Sequence, residues 1–287
     1  MLKKRARQEL IDAGLSRVAD AILATARPAA RILTRKAASE SMMGRSRFGG
    51  VPDLPSGLEW PSKDGRPLDF LAQIALAEVA AHGAEASISS SGYLWFFYDN
   101  EASPWGFDPN DRGGWAVLHS DVTFSDLAIQ RGADRGSATF DACSIEFSPS
   151  LTIPSSFSER GFPVEITESE EQQLDDLLKD GNTKSVLQRW GHHLLGWPHP
   201  VQNDSMELEC AGASVGCNMG NPEGYEIAIE RGLLDHAGDW KLLLQLDSDE
   251  QGPGWMWGDS GMLYFWIRSD QLEQQRFDKA WLVLQCY

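Results

Sequence analysis

The sequence predicts an α+β fold of mostly antiparallel β-sheets built from two related β units, with a helical N-terminal arm and few other helices. Three observations support this prediction. Short apolar runs alternate with polar, Gly-rich turns; one basic segment at the N-terminus has helical periodicity; and one strand pattern occurs twice. A globule of 287 residues can bury about 75% of its unfolded surface, so its stability requires neither disulfides nor a structural metal.

Residues 1–40 predict a helical arm. Apolar residues from Leu10 to Leu23 recur at intervals of three and four, which places them on one helix face. Pro28 is expected to break or restart the helix. Basic residues flank this apolar stripe, so a helix at a membrane surface is an alternative, but the stripe lacks large aromatic residues. We expect the arm to dock on the acidic body of the chain.

Charge is distributed unevenly along the chain. Residues 1–47 hold eleven Lys and Arg against four Asp and Glu, a formal charge of +7, so with a net charge of −17 the other 240 residues carry −24. Such an acidic body repels phosphate backbones, which argues against nucleic-acid binding. It suits a basic protein partner, and acidity that serves only solubility is the alternative.

The sequence contains no targeting or metal-binding signal. Its four cysteines are widely spaced and include no CxxC pair, which predicts free thiols in a reducing compartment and no zinc site. No apolar run approaches the length of about 18 residues that a membrane span requires. The N-terminus lacks the apolar core of a signal peptide. We therefore expect a cytoplasmic protein without a cofactor.

The body, residues 41–287, is predicted as a single domain. Its apolar runs predict strands at Phe70–Leu76, Gly92–Tyr98, Trp115–His119, Ser144–Phe147, Trp240–Leu246, Met262–Ile267 and Ala280–Gln285. A capping box at Thr167 opens an acidic helix that runs to about Lys179. Residues 203–224 are polar and rich in Gly, and they predict a mobile loop.

An internal repeat relates two parts of this body. Phe70–Ile74 is similar to Leu242–Leu246, with a Gln in the same place, and each is followed after a polar loop by Gly and an aromatic strand. We interpret the repeat as a duplication of one β unit, over about residues 60–130 and 235–287. A chance likeness of two buried hairpins is the alternative.

The order of several segments resembles the YwqG-like family, a bacterial domain of unknown function. The segments lie between Ile32 and Cys286 and include SRFGGVPDLP, EWP, PLDFLAQIAL, GYLWFFYD, LLGWPHPVQ, LLLQLDSD, WGDSGMLYFWI and AWLVLQCY. The resemblance implies a single soluble α+β domain, and it transfers no catalytic residues. Because some members look like neighbours of toxin–immunity systems, the resemblance also allows an immunity-type inhibitor of a basic toxin.

The polar segment between the strands Trp240–Leu246 and Met262–Ile267 is the best candidate for a site. It places three carboxylates beside two indoles: Asp247, Asp249, Asp259, Trp255 and Trp257. Carboxylates and indoles on one loop are typical of polar recognition, and the indoles offer a stacking surface for a sugar-like ring. They are also typical of a tightly packed turn. The loop does not match an EF-hand, whose twelfth position would be Gly258, so we assign no metal.

Three glutamines complete the candidate site. Gln73 and Gln245 interrupt strongly apolar strands, where an amide without a hydrogen-bond partner costs about 1–3 kcal/mol. Each must therefore bond to the backbone, to the other glutamine or to a ligand. Gln202 ends the loop Gly191–Gln202, whose histidines lack metal-binding spacing and are predicted to have packing or surface roles.

These features favour a non-enzymatic protein that binds a protein or a small polar ligand, since no complete set of catalytic residues is visible. The alternative is a hydrolase or carbohydrate-active enzyme, in which two of Asp247, Asp249 and Asp259 act as acid and base. The enzyme hypothesis requires paired carboxyl groups in an open cleft. No catalytic residue is assigned.

Overall fold

The structure, a computed structural model, describes residues 1–36, 42–81, 88–129, 139–155, 164–179, 181 and 184–287. These residues contain eight α-helices: α1 (Leu2–Asp12), α2 (Ala19–Thr25), α3 (Leu76–Ala80), α4 (Glu168–Leu178), α5 (Met206–Ala213), α6 (Pro222–Glu230), α7 (Leu234–Ala237) and α8 (Ser269–Glu273). They also contain fifteen strands: β1 (Arg27–Lys36), β2 (Arg47–Phe48), β3 (Asp53–Pro55), β4 (Ser62–Lys63), β5 (Arg66–Pro67), β6 (Asp69–Ala75), β7 (Tyr93–Tyr98), β8 (Trp115–Ser120), β9 (Leu127–Ile129), β10 (Cys143–Thr152), β11 (Leu187–Gln188), β12 (His193–Leu194), β13 (Trp240–Asp247), β14 (Met262–Arg268) and β15 (Trp281–Gln285).

Eleven of the strands form one sheet. Its order is β15-β14-β13-β12-β1-β10-β2-β6-β7-β8, and β11 pairs in parallel with the end of β10. The pairs along this path are antiparallel. The prediction of a mostly antiparallel sheet with few helices is therefore confirmed. Among the described residues, no helix is both long enough and apolar enough to cross a lipid bilayer.

The sheet has two sets of strands on either side of the pair β1–β10. On one side lie β12, β13, β14 and β15, and on the other lie β2, β6, β7 and β8. Neither of the two central strands pairs with the set of strands that comes next after it in the chain. β1 precedes β2 in the chain but pairs with β12, whereas β10 pairs with β2. Ten residue pairs join β1 to β10, so this ladder connects the two halves of the sheet.

The predicted helical arm ends earlier than expected. Helices α1 and α2 confirm the helix prediction up to Thr25, but Arg27–Lys36 forms the central strand β1 rather than a helix. Pairing with both β10 and β12 fixes this strand, and such long-range contacts override local helix propensity. Leu10 and Ile22 on the apolar face of the helices are fully buried and belong to one cluster with Leu174 of α4.

The sheet curls until its two ends meet. Phe96 of β7 packs edge-to-face on Phe265 of β14, with ring centroids 5.1 Å apart. Trp115 of β8 packs in the same way on Trp281 of β15 at 5.0 Å, and its Nε1–H donates to the Ala280 carbonyl. β7 is buried along its whole length, which confirms that this strand is covered on both faces. The aromatic side chains thus form one core between the two halves.

Two further predictions have opposite outcomes. The capping box at Thr167 is confirmed: its side chain accepts from the Glu170 N–H, and the Glu170 carboxylate accepts from the Thr167 N–H. The predicted mobile loop over residues 203–224 is wrong, because it contains α5 and the start of α6. All eight residues of α5 are buried, two glutamates included. Burial by neighbouring elements, rather than an amphipathic pattern, defines this helix.

We predict that Gly106→Ala destabilises the fold where the sheet ends meet. Gly106 has φ = +82°, and an added Cβ would overlap the Leu282 carbonyl of β15, which is backbone and cannot move aside. The left-handed conformation alone costs about 1–2 kcal/mol for Ala, so the overlap should raise the loss above about 3 kcal/mol. Urea unfolding followed by tryptophan fluorescence measures the change.

Gly65→Ala provides the matched control. Gly65 has φ = +79° and no atom within 4 Å of the added Cβ, so this variant carries the conformational cost without the overlap. Equal losses of stability in the two variants would contradict a close contact between Gly106 and β15.

Candidate functional site

The polar segment after β13 folds around His192. The Asp247 N–H donates to His192 Nδ1 at 3.0 Å, and Asp247 Oδ2 accepts from the Gly191 N–H at 3.1 Å. Asp249 Oδ2 accepts from the Thr34 hydroxyl at 2.9 Å and lies 3.6 Å from His192 Nε2. Because Nδ1 is an acceptor, the neutral ring carries its proton on Nε2, on the side of Asp249. Asp247 and Asp249 therefore both contact His192, and Asp249 also contacts Thr34, two residues from distant parts of the chain.

The surroundings of Asp249 favour its charged form. Burial acts to raise the pKa of this carboxyl group, but hydrogen bonds from His192, the Gly252 N–H and Thr34 together lower the pKa to about 2. A general acid needs a pKa raised towards neutrality. The geometry thus favours an Asp249 that anchors the loop over an Asp249 that donates a proton.

The two tryptophans of the predicted site are core residues. Trp255 and Trp257 are each 1% exposed, and both Nε1–H groups donate to the Asp247 carbonyl, at 2.8 and 3.2 Å. Their rings pack on Phe140 rather than facing solvent. The expectation of an exposed stacking surface is therefore not met. Asp259 is exposed in the following turn, where its backbone carbonyl accepts from the Tyr287 N–H.

Gln245 fastens the segment around His192 to β13. The Gln245 side chain is fully buried. Its Oε1 accepts from the His199 N–H at 2.8 Å, and its Nε2 donates to the Gly191 carbonyl at 2.9 Å. Gln245 therefore bonds to the backbone, which is one of the three arrangements that the sequence allows for it. Gln202 lies elsewhere and is exposed, with Nε2 bonded to the Cys286 carbonyl.

Gln73 makes the corresponding contacts in the other half of the sheet. Oε1 accepts from the Asp53 N–H at 2.8 Å and from Trp95 Nε1 at 2.9 Å, and Nε2 donates to the Arg45 carbonyl at 3.1 Å. Asp53 also forms a buried ion pair with Arg47 at 2.8 Å. The structure thus divides the predicted site: Asp247, Asp249, Trp255, Trp257 and Gln245 lie together, while Gln73, Gln202 and Asp259 lie apart from them.

A separate pocket with free polar groups lies beside α5, α7 and α8. We call it the Arg112 pocket; its volume is about 480 Å³, and it is lined by Arg112, Trp240, Arg268, Gln271 and Lys279 together with apolar side chains that include Val215 and Leu233. A volume in the range of about 300–1,000 Å³ is typical of sites for small organic ligands.

Several groups in the Arg112 pocket have unused hydrogen-bonding capacity. The exposed Arg112 guanidinium lies 5.4 Å from the centroid of the Trp281 ring, and no described residue pairs with its charge. Trp240 Nε1 and Gln271 Oε1 are buried and lack a hydrogen-bond partner among the described residues. A buried donor or acceptor without a partner costs free energy, which a ligand with complementary groups would recover.

The Arg112 pocket is cationic within an acidic protein. Only fourteen Lys and Arg follow residue 47, and three of them line this one pocket. No Asp or Glu is among the lining residues in the described part of the chain. Nearby carboxylates neutralise part of the charge: Arg268 lies 3.1 Å from Asp270, and Lys279 lies 3.4 Å from Asp278. Arg112 has no such partner among the described residues, so it is the cation best placed to meet a ligand.

The family comparison adds a name for the domain. The family model "Domain of unknown function (DUF1963)" matches residues 46–286. The chain belongs to the DUF1963 family. No curated protein matches the sequence. The family match includes every lining residue of the Arg112 pocket, whereas α1, α2 and β1 of this DUF1963 protein precede the matched region.

Sequence reasoning about this DUF1963 protein missed the Arg112 pocket. Its polar lining residues come from five separate segments and have no motif spacing. The first of them in the chain is Arg112 and the last is Lys279. The one available signal was the scarcity of basic residues after residue 47. That scarcity makes each remaining Arg or Lys worth testing, but it does not show that three of them converge.

We predict that Gln245→Met destabilises the protein by about 2–4 kcal/mol, because it leaves the His199 N–H and the Gly191 carbonyl without partners. Equilibrium unfolding in urea measures the loss. Gln202→Met removes an amide of the same size at an exposed position and should change stability by less than about 0.5 kcal/mol. A loss below 1 kcal/mol for Gln245→Met would contradict an anchoring role.

We predict that Asp249→Asn reduces the sensitivity of the fold to acid. The folded-state pKa of about 2 lies below the ordinary value of 3.8, so ionised Asp249 stabilises the protein above about pH 4, and this contribution is lost as the pH falls towards 2. The variant should therefore be less stable at pH 6 and have a flatter stability profile between pH 4 and pH 2. Asp259→Asn, at an exposed position of the same loop, is the control and should keep the wild-type profile.

Proposed function

We propose that this protein binds a small organic ligand that carries a carboxylate or phosphate group and a hydroxyl group, in the Arg112 pocket. The observation that carries the proposal is that Arg112 has no ion-pair partner among the described residues and lies in a pocket with two further cations and no described carboxylate in its lining. Such a local cluster of positive charge contrasts with the net charge of −17 of the whole chain.

Each polar group of the pocket has a role in this proposal. Arg112 and Lys279 meet the anionic group, since guanidinium and ammonium groups recognise carboxylates and phosphates by charge-assisted hydrogen bonds. Trp240 Nε1 donates to a ligand oxygen, and Gln271 Oε1 accepts from a ligand hydroxyl. Val215 and Leu233 contact the carbon skeleton. The ligand is thus the small polar molecule expected from the sequence, but it binds in the Arg112 pocket rather than at the segment between β13 and β14.

Binding is favoured over catalysis by the state of the carboxylates. The hydrolase hypothesis assigns acid–base roles to Asp247, Asp249 and Asp259, yet Asp247 and Asp249 accept hydrogen bonds from backbone N–H groups, and the pKa of Asp249 is lowered. Carboxylates held in this way stay charged and stabilise a loop. These contacts support a binding protein.

We also propose that residues 41–287, completed by the central strand β1, form one cytoplasmic YwqG-like domain with an internal duplication. Three correspondences support the duplication. The strand order is the same outwards from the β1–β10 pair in both directions. A bulge at Leu71 in β6 matches a bulge at Leu243 in β13. Gln73 and Gln245, two residues after these bulges, each bind an entering loop through its backbone.

The proposed binding is tested by isothermal titration calorimetry at low ionic strength with inorganic phosphate, citrate and ribose 5-phosphate. We expect saturable binding of at least one of these anions and a tenfold or greater loss of affinity in Arg112→Gln. Neutral ribose should bind at least tenfold more weakly than ribose 5-phosphate. Affinity should fall with added salt, because the contacts are between charged groups at a partly exposed site.

Arg35→Gln is the matched control. Arg35 is an exposed arginine paired with Glu146 at 3.3 Å, and it is not among the pocket-lining residues, so its replacement removes the same charge elsewhere. Equal effects of Arg35→Gln and Arg112→Gln would contradict a localised site. Absence of saturable binding for all three anions at low ionic strength would also overturn the proposal.

A further inference from the structure

A buried glutamate outside the Arg112 pocket has no counter-charge in the part of the chain that the structure describes. Glu209 lies on α5 and is 0% exposed. Its Oε1 accepts from the Tyr225 hydroxyl at 2.6 Å, while Oε2 lacks a hydrogen-bond partner among the described residues. No described Lys or Arg forms an ion pair with it, and the neighbouring Glu207 is also buried. A buried carboxylate in this position is costly unless a cation or a proton neutralises it.

The surroundings of Glu209 make it hold a proton more tightly than an ordinary glutamate. Burial and the neighbouring charge of Glu207 together raise its pKa to about 7, against the opposing effect of hydrogen bonds from the Tyr225 and Asn203 side chains. A cation beside the carboxyl group would reverse this effect and favour the charged form. The group is therefore poised to exchange a proton for another positive charge near neutral pH.

A cavity gives this carboxyl group a neighbourhood suited to a ligand. The cavity measures about 610 Å³ and is lined by Glu209, Tyr225, Glu226, Asn203 and Phe107, among others. None of the lining residues in the described part of the chain is Lys or Arg. Phe107 and Tyr225 offer aromatic rings, which attract cations through their faces. The cavity thus has the opposite charge preference to the Arg112 pocket.

We propose that this cavity binds an organic ammonium ion, a primary alkylamine or the amino group of a larger molecule, with Glu209 as its counter-ion. The ammonium group donates to Glu209 Oε2, the oxygen without a partner, and to the Asn203 side chain. The alkyl chain packs on Phe107 and Tyr225. The volume of about 610 Å³ accommodates an organic ligand rather than a single metal ion, and the described residues contain no cluster of metal ligands.

This inference is independent of the proposed anion site. The two pockets share no lining residue, and their ligands have opposite charge. Loss of one binding activity should therefore leave the other unchanged. Each pocket also serves as an internal control for folding of the variants that affect the other.

The test is calorimetric titration of the full chain at pH 7 with n-butylamine and 1,4-diaminobutane, beside the neutral isostere n-butanol. We expect saturable binding of the amines, binding of n-butanol at least tenfold weaker, and a tenfold or greater loss of amine affinity in Glu209→Gln. Glu223→Gln, at an exposed position of α6 outside the lining, should stay within twofold of wild type.

Release of a proton from Glu209 on amine binding distinguishes a direct counter-ion role of this residue from a general attraction of amines to the acidic surface. Because the pKa of the Glu209 carboxyl group is raised to about 7, part of the population is protonated at pH 7, so amine binding should release a measurable fraction of a proton per site. Titrations in two buffers of different ionisation enthalpy measure this number, which should fall to zero in Glu209→Gln. Equal binding of n-butanol, unchanged amine affinity in Glu209→Gln, or binding without proton release would overturn the proposal.

Discussion

The fold depends on the antiparallel ladder between β1 and β10. Its ten residue pairs are the only described strand contact along the path of the main sheet that joins the β12–β15 side to the β2–β8 side. The two strands cross over to the opposite sets, because β1 pairs with β12 and β10 pairs with β2. The helices α1 and α2 pack behind the end of β10, which ties the N-terminal segment to the same centre. Disrupting this ladder would leave only side-chain packing, such as that of Phe96 on Phe265, to join the two halves.

Buried polar groups then fix the loops that enter each half. Gln73 holds the segment around Asp53, and Gln245 holds the segment from Gly191 to His199. Each amide satisfies backbone groups that the surrounding apolar strands cannot reach, which offsets the cost of burying it. The carboxylates and indoles that first suggest a ligand site are part of this anchoring, since Trp255 and Trp257 share the Asp247 carbonyl.

Polar groups without hydrogen-bond partners among the described residues lie on or beside the helical connection between β12 and β13. α5 contributes to both the Arg112 pocket and the cavity that Glu209 lines, so one buried helix lies between a pocket lined by cations and a cavity lined by carboxylates. The corresponding connection in the first half, residues 49–68, is fully described and contains no α-helix. The two halves of the sheet therefore supply a common scaffold, and the added helices supply the chemical differences from which we infer binding.

Local sequence determined two kinds of element: strands that are apolar along their whole length, and helices that begin at a capping box. The aromatic strand β7 and the capped helix α4 are predictable because continuous apolarity and a capping box act within a few residues. Tertiary structure decided β1, which the sequence assigns to the helical arm but which is held by partner strands on both sides. It also decided α5, whose two glutamates look solvent-exposed in sequence but are buried. The tertiary structure decided the candidate sites as well: Asp247 and Asp249 are only two positions apart in sequence, whereas Arg112, Trp240 and Lys279 converge only because the curled sheet brings its ends together. Hydrophobic patterning is a local property, but a pocket is formed by residues whose proximity depends on the path of the whole chain.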